Sequence, residues 1–274
     1  MLQQITSPVC RTAIVMAAKR AIENERPDRL FNDPFSERLV GRDAIQQQLD
    51  YYETLDARNQ LKMQFVAIRT RYFDDFIANS LAGANQIVIL GSGFDTRAYR
   101  LTLPQSTTIY EIDLPEIIEY KSKVLVNEQP LCNHHALAAD FTSDDWCQLL
   151  LSKGYNPQMP TIWVAEGLLM YLSEPQVNRL LNQIKNLSAS GSSIGADLIS
   201  VTSWQAGAAN NDTVISGHWK FGCDEPEALF EKYGWNVLVQ QPGDIRANYG
   251  RYTVELPPRE IKDRRRSYLV IGSN

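Results

Sequence analysis

Residues 87–100 read IVILGSGFDTRAYR and carry more structural information than any other part of the chain. Four apolar residues lead directly into Gly91, Ser92 and Gly93, a pattern that predicts a buried parallel strand entering a tight turn. A second strand-like run, residues 107–112, ends at Asp113, which lies 22 positions after Gly91. This is the spacing of one strand–helix–strand unit. We therefore expect the carboxylate of Asp113 to lie beside the glycine turn, at the carboxyl edge of a sheet.

The glycine turn and the acid after it indicate a site for a nucleoside-containing cofactor. Glycines let such a ligand approach the backbone, and a carboxylate accepts hydrogen bonds from ribose hydroxyls. A dinucleotide site would have a third glycine where this chain has Thr96, and Asp95 would repel a pyrophosphate. A cationic sulfonium that carries an amino acid suits this acid better, so the sequence favours S-adenosylmethionine (SAM) over NAD. An NAD-dependent oxidoreductase and a plain tight turn of an α/β protein remain alternatives.

The spacing of hydrophobic residues along the chain changes at residue 86. Before it the pattern is helical, with helices predicted at residues 12–23, 34–40 and 55–81. After it, strands are predicted at residues 87–90, 107–112, 133–138, 161–165 and 193–197, with helices at 96–100, 114–126, 143–151, 174–187 and 225–233. This alternation predicts an α/β fold, a parallel sheet with helices on both faces. Residues 235–240 and 268–272 are predicted to close the sheet as an antiparallel hairpin, and the polar segment 204–217 to be a loop or insertion.

Composition restricts the class of partner. The 274 residues carry a net charge of −5, whereas a nucleic-acid footprint is basic, so we expect no nucleic-acid partner. Four cysteines without C-x-x-C spacing argue against a zinc ribbon or redox motif and favour reduced thiols in the cytoplasm. The apolar run 13–18 is too short for a membrane span, and no metal-binding cluster is evident. We therefore expect a cytoplasmic protein that binds neither nucleic acid nor a membrane, and whether it is a monomer or a homodimer stays open.

Several segments resemble successive motifs of one enzyme family. LGSGFDTRAYRL (90–101), EIDLPEIIEYK (111–121), the step 139–141 and AEGLLMYL (165–172) resemble the leucine carboxyl methyltransferase-like family of class I SAM-dependent O-methyltransferases. The leader TAIVMAAKRAIENERPDRLFNDPFSERLVG (12–41) is similar to that of its bacterial small-molecule branch. FGCDEPEALFEKYGWNVLVQQPGD (221–244) and NYGRY (248–252) resemble polyketide carboxyl O-methyltransferases of the tetracenomycin-pathway type. The resemblance covers residues 12–270.

The resemblance implies a division of the chain. It implies a Rossmann-like class I methyltransferase core in residues 83–274, mostly parallel with one antiparallel strand. Residues 1–82 would form an N-terminal helical cap of the same domain, and an insertion or lid would lie near residues 202–224. A place in secondary metabolite biosynthesis is also implied.

The predicted cofactor site combines a turn with acids at successive strand ends, where open α/β sheets bind ligands. Gly91 and Gly93 form the turn, and Asp113 accepts from the ribose. Asp140, after the third strand, would take the adenine amino group, with Phe141 supplying an apolar contact and a backbone amide. Glu166, after the fourth strand, would meet the methionyl ammonium.

The resemblance places an arginine of the leader on the methionyl carboxylate. Our choice is Arg71, because a guanidinium binds a carboxylate with two hydrogen bonds, and Arg69 is the next candidate. The alternative role for Arg71 is a surface ion pair with Asp74 or Asp75.

The acceptor is predicted from what methyl transfer requires. A carboxylate is already ionised at neutral pH, whereas a hydroxyl needs a general base, and His218 is the one candidate for that role. The scarcity of catalytic histidines favours a small organic carboxylate, with a methyl ester and S-adenosylhomocysteine (SAH) as products. Alternatives are a phenolic or alcoholic hydroxyl acceptor, or a non-catalytic SAM-binding protein. Residues expected to line the acceptor pocket are Tyr51, Tyr52, Tyr171, Trp204, Trp219, Tyr249 and Arg251.

Overall fold

The computed structural model describes residues 5, 7–141, 145–209, 215–254 and 256–274. The helices are α1 Pro8–Asn24, α2 Ser36–Glu53, α3 Ala57–Lys62, α4 Phe65–Ser80, α5 Arg97–Arg100, α6 Pro115–Val124, α7 Asp145–Ser152, α8 Glu174–Leu187, α9 Val201–Ala209 and α10 Pro226–Glu231. The strands are β1 Gln86–Leu90, β2 Thr108–Asp113, β3 Asn133–Ala138, β4 Thr161–Ala165, β5 Ser193–Ile199, β6 Asn236–Gln240 and β7 Ser267–Ser273. Two 3₁₀ turns span Leu169–Tyr171 and Ser216–His218.

The seven strands form one sheet in the order β3-β2-β1-β4-β5-β7-β6. β1 to β5 pair in parallel, and β7 runs antiparallel to both of its neighbours, β5 and β6. All residues of β1 and β4 are buried, as expected for the centre of a parallel sheet covered on both faces. The predicted fold class, a mostly parallel α/β sheet with one antiparallel strand, is confirmed.

Each face of the sheet carries its own hydrophobic layer. On one face, α4 packs Ile68, Phe73, Phe76 and Ile77 against apolar side chains of β1, β2 and β4. On the other face, α7 and α8 cover the alternate strand residues, including Val88. The buried residues of α8 recur at three- and four-residue spacing: Val177, Leu180, Leu181 and Ile184. These two layers fix the strand ends from which the site residues project.

The first helix lies across the glycine turn. α1 and α2 pack on each other and on α6 through the buried Ala17, Ala18, Leu39 and Ile117. Small residues let α1 approach closely, and a Cβ placed on Gly93 would lie 3.4 Å from the Cβ of Ala13. The leader therefore covers the carboxyl end of β1. The division into a cap of residues 1–82 and a core of residues 83–274 stays a prediction.

Three local predictions were wrong. The short helix predicted for residues 34–40 is the start of α2, which continues through a kink because Gly41 adopts φ 73°. The helix predicted for residues 55–81 is divided into α3 and α4. The loop predicted for residues 204–217 begins as helix α9, whose Gly207 lies so close to Trp219 that a Cβ there would be 2.7 Å from the indole ring. Residues 210–214 of that segment lie outside the described residues.

Candidate functional site

A cavity of about 350 Å³ lies between α1 and the carboxyl ends of β1, β2, β4 and β5. This volume is within the range of small-molecule and cofactor pockets. The structure brings six of the seven predicted cofactor residues to its wall: Gly91, Gly93, Asp113, Asp140, Phe141 and Glu166.

The glycine turn has the backbone conformation that only glycine adopts freely. Gly91 and Gly93 have φ values of 64° and 51°. The amides of Gly91 and Ser92 both donate to the carbonyl of Ile112, at 2.9 and 3.2 Å, which ties the turn to the end of β2. A Cβ on Gly91 would lie 2.9 Å from Cδ1 of Leu168, so a side chain there would collide as well as strain the backbone.

Asp113 lies directly beside this turn, as the spacing predicted. Its carboxylate accepts from the amides of Gly93 and Leu114, each at 2.6 Å. Burial raises the pKa of Asp113 to about 6, although these two amide donors oppose the shift. Each carboxylate oxygen has a second lone pair, so the group retains acceptor capacity toward the cavity.

Asp140 and Phe141 form the wall beyond β3. Phe141 is buried, and its ring meets Trp146 edge to face, with 5.8 Å between centroids. Its carbonyl accepts from Nη2 of Arg179 at 3.1 Å, which holds the backbone after the strand. Asp140, in contrast, is exposed at the cavity rim.

Glu166 is held by two arginines. Its Oε1 accepts from Nε of Arg69 at 2.9 Å and its Oε2 from Nη2 of Arg97 at 2.8 Å. Burial alone would raise the pKa of Glu166, but the charges of Arg97 and Arg69 hold it below its usual range. Glu166 is therefore an ionised carboxylate in the cavity wall.

The same arginines belong to a larger buried ion network. Arg97 donates 2.8 Å to Asp74 and also pairs with Asp95, and Arg100 donates to both oxygens of Asp74 at 2.6 and 2.8 Å. Although burial opposes it, the charge of Arg97 lowers the pKa of Asp95 to about 2. The network comprises Arg69, Asp74, Asp95, Arg97, Arg100, Glu166 and Asp197. With four acids and three arginines it has an excess of one negative charge, which suits a cationic ligand.

The structure places Arg71 away from the cavity. This residue does not line the cavity: its Nε pairs with Asp75 at 2.8 Å and its Nη1 donates to the carbonyl of Leu30 at 2.8 Å. Residues two apart on a helix are separated by about 200°, so Arg69 and Arg71 face opposite sides of α4. Arg69, the second candidate, is the arginine that reaches the cavity.

Asp197 was missed by the sequence analysis. It sits on β5, 2% exposed, and accepts from Nη1 of Arg69 at 3.0 Å and from the amide of Gly167. The available signal was an acid inside an otherwise apolar strand, where a charge persists only with a partner.

His218 is not among the residues that line the cavity. It ends the 3₁₀ turn Ser216–His218, whereas its neighbour Trp219 faces the cavity and has its carbonyl bound by Nε1 of Trp204 at 3.1 Å. Of the aromatic side chains expected in the acceptor pocket, Tyr171 and Trp219 line the cavity. The others of that set do not, namely Tyr51, Tyr52, Trp204 and Tyr249, and neither does Arg251. Among the described residues no group of potential metal ligands is found.

The arrangement was compared with known proteins. The pattern of the family described as leucine carboxyl methyltransferase matches residues 13–185. A provisionally named S-adenosyl-L-methionine-dependent methyltransferase of Mycobacterium sp. strain KMS is 34% identical over 270 residues, covering 90% of this chain and 89% of its own. A provisionally named S-adenosyl-L-methionine-dependent methyltransferase of Saccharopolyspora erythraea is 35% identical over 260 residues, with 90% coverage of both chains.

Solved structures with low sequence identity share the fold. A DUF574 family protein from Streptomyces avermitilis superposes with a TM-score of 0.62 at 13% identity, covering 94% of this chain and 96% of its own. A provisionally named methyltransferase from Thermobifida fusca gives a TM-score of 0.56 at 16% identity, covering 86% and 92%. In the described part of the chain, no helix has the length and hydropathy that a membrane crossing needs.

Proposed function

Because this chain belongs to the leucine carboxyl methyltransferase family and is a SAM-dependent methyltransferase, we propose that it methylates an oxygen of a small organic molecule. We further propose that this oxygen belongs to a carboxylate, so that the products are a methyl ester and SAH. The observation that supports a carboxylate is the wall of the cavity: its described residues include no histidine, the side chain that acts most often as a general base. A carboxylate acceptor needs no general base, whereas a hydroxyl does.

The residues of the cavity fit SAM. Asp113 and Glu166 offer carboxylate oxygens, and the buried hydroxyls of Ser92 and Thr70 have no protein partner among the described residues. Unpartnered buried hydroxyls are costly, which is consistent with a polar ligand at this position. The ring of Phe141 offers an apolar contact to an adenosine, and the glycine turn lets it lie close to the backbone.

We assign roles to the site residues on this basis. Asp113 holds the ribose hydroxyls, Asp140 the adenine amino group, and Glu166 the methionyl ammonium. Gly91 and Gly93 let the cofactor lie against the backbone. Phe141 supplies an apolar contact, and Arg69 replaces Arg71 as the partner of the methionyl carboxylate.

When bound, SAM supplies the methyl electrophile at its sulfonium. The protein holds the acceptor oxygen in line with the methyl group and excludes water from the site. The negative network holds charge complementary to the sulfonium, while Tyr171 and Trp219 form an apolar wall that keeps water from the acceptor oxygen. No proton has to be removed from an acceptor that is already ionised.

The proposal is tested by incubating the purified protein with SAM and a panel of carboxylic acids, phenols and alcohols, and by identifying products by mass spectrometry. Methyl esters together with SAH support it. A methyl ether with no ester formed would replace the carboxylate by a hydroxyl acceptor, and SAM binding without any product would favour a non-catalytic SAM-binding protein.

A further inference from the structure

Lys19 differs from every other cation in the wall of the cavity. Arg20 is bound to Asp33, and Arg69, Arg97 and Arg100 belong to the ion network. Lys19, on α1, lines the same cavity but makes no hydrogen bond and no ion pair with any residue that the structure describes. Lys19 is therefore the one cation among the described residues of the wall that has no direct hydrogen-bond or ion-pair partner among them.

The surroundings of Lys19 favour binding of an anion. Burial, and then the charge of Arg69, lower the pKa of Lys19 to about 8, so the ammonium form still dominates at neutral pH. Lys19 is partly exposed in the cavity, and a ligand that fills the cavity would remove the remaining water from its ammonium, which is unfavourable for a charge without a partner. A carboxylate on that ligand would compensate the charge of the Lys19 ammonium.

The other charges around Lys19 are already engaged. Arg69, from α4, is neutralised by Glu166 and Asp197. Glu23, one turn further along α1, accepts from Nη2 of Arg251 at 2.8 Å. None of these carboxylates is hydrogen-bonded to Lys19, so the ammonium remains available.

The wall of the cavity is otherwise largely apolar. Three of the four methionines that the structure describes line it, and Met16 lies on α1 one turn before Lys19. Methionine side chains adapt to ligands of irregular shape. The apolar contacts come from Met16, Met63, Phe65, Val66, Met170 and Ile215. Such a wall fits a hydrocarbon or aromatic body rather than a sugar or a peptide.

We propose that Lys19 binds the carboxylate of the acceptor, and that the acceptor is an apolar organic acid whose body lies on the methionine-lined wall. This inference rests on the proposed function. One carboxylate oxygen accepts from the ammonium of Lys19, which leaves the other free to attack. The new O–CH₃ bond forms as the S–CH₃ bond breaks, the electron pair of that bond stays on sulfur, and no proton moves.

The experiment measures by calorimetry how tightly octanoate, decanoate and naphthoate bind to the SAH-loaded protein. The primary amide of each acid is measured separately for comparison. In the wild type at least one acid should bind more tightly than its amide. Lys19→Met should weaken binding of that acid by roughly 10- to 100-fold, the range of a hydrogen bond to a charged group. Amide binding and SAH binding should stay within about twofold of the wild type, since neither contact is lost. Lys19→Arg should restore part of the acid binding.

Lys123→Met is the matched control, because the side chain of Lys123 is 64% exposed on α6 and does not line the cavity. It should bind acids, amides and SAH as the wild type does. The pH dependence gives a second readout. If the ammonium is the binding form, kcat/KM for an acid that is turned over falls as the pH rises through about 8. Lys19→Met should abolish this fall.

The possible results separate the two proposals. An equal loss of SAH and acid affinity in Lys19→Met would place Lys19 on the methionyl carboxylate and overturn the inference, as would unchanged acid binding or the absence of binding by every acid. A kcat/KM that rises through pH 8 would make the neutral amine a general base for a hydroxyl, and would also overturn it. Methyl esters formed equally well by Lys19→Met would remove the role of Lys19 while leaving carboxyl methylation intact.

Discussion

Arg69 and Asp197 are 128 positions apart in the sequence, and Nη1 of the arginine lies 3.0 Å from Oδ2 of the acid. This contact joins helix α4 to strand β5 across the floor of the cavity. Because Arg69 also holds Glu166, one side chain connects two neighbouring strands, β4 and β5, to α4. Helix α4 is thus a structural part of the site.

Removal of this link should affect both folding and binding. Arg69→Met leaves the buried Asp197 without its ion-pair partner and Glu166 with Arg97 alone, and we expect the free energy of unfolding to fall by about 3–5 kcal/mol. Arg71→Met breaks a half-exposed ion pair and should cost roughly 0–1 kcal/mol. Urea denaturation measures both. Arg69→Lys, which keeps the charge, should fold but bind SAH more weakly, whereas Arg71→Met should bind it normally. The reverse order of SAH affinities would return the methionyl carboxylate to Arg71.

Asp113 should make cofactor binding depend on pH. Its folded pKa of about 6 lies above its usual value, so the carboxyl is protonated below pH 6 and loses its capacity to accept from both ribose hydroxyls. SAH affinity should therefore fall as the pH drops, by about tenfold from pH 7 to pH 5 if only the ionised form binds. Calorimetry in buffers of different ionisation enthalpy should detect proton release on binding near pH 6.

Asp113→Ala serves as the companion variant. It should weaken SAH binding by roughly 1–3 kcal/mol, the cost of unsatisfied buried polar groups, and should remove the pH dependence. A variant with unchanged affinity would show that Asp113 does not contact the ribose.

Gly91→Ala tests the turn. The added methyl would strain a backbone with φ 64° and would lie 2.9 Å from Leu168, so we expect a loss of about 1–3 kcal/mol in stability. Gly83→Ala is the control, because a Cβ there meets no atom within 4 Å. Thermal melting of both variants provides the comparison, and equal melting temperatures would contradict the predicted strain.

His218 should be dispensable for the chemistry. His218→Ala and His218→Gln should retain turnover within about tenfold, well short of the roughly 10²–10⁴-fold loss of a general base. With SAM and a carboxylic acid both saturating, the rate should be flat between about pH 6 and 8, since the acid titrates near pH 4. A rate that rises near pH 6.5 in the wild type and not in these variants would identify His218 as the base.

Local spacing was sufficient to predict the centre of the fold. The run ending at Gly91 and the run ending at Asp113 are neighbouring parallel strands, with Leu90 opposite Ile112, so turn and acid meet as expected. Buried strands are visible in one sequence because their apolar runs end abruptly in glycine or acid. The predicted positions of Asp140, Phe141 and Glu166 follow from the same rule.

Local sequence patterns do not show which side chains of distant segments come into contact. Arg69 and Arg71 are chemically equal in the sequence, and only the packing of α4 on the sheet decides which one faces the cavity. Asp197 belongs to the site because it pairs with Arg69, which lies on helix α4 and is distant in the sequence. Gly41 permits either an end or a kink of the helix, and the sequence does not show that α2 continues beyond it.

The position of α1 over the glycine turn has a kinetic consequence. A Cβ placed on Gly93 would lie 3.4 Å from Ala13, and Nη2 of Arg20 donates to the carbonyl of Phe94 at 2.5 Å, which bonds the helix to the turn. In the proposed site SAH lies beneath this helix, and we expect its exchange for SAM to be coupled to movement of α1. Arg20→Met should therefore shorten the residence time of SAH, measurable by stopped-flow displacement, and hydrogen exchange of the α1 amides should slow when SAH binds while that of β1 does not change.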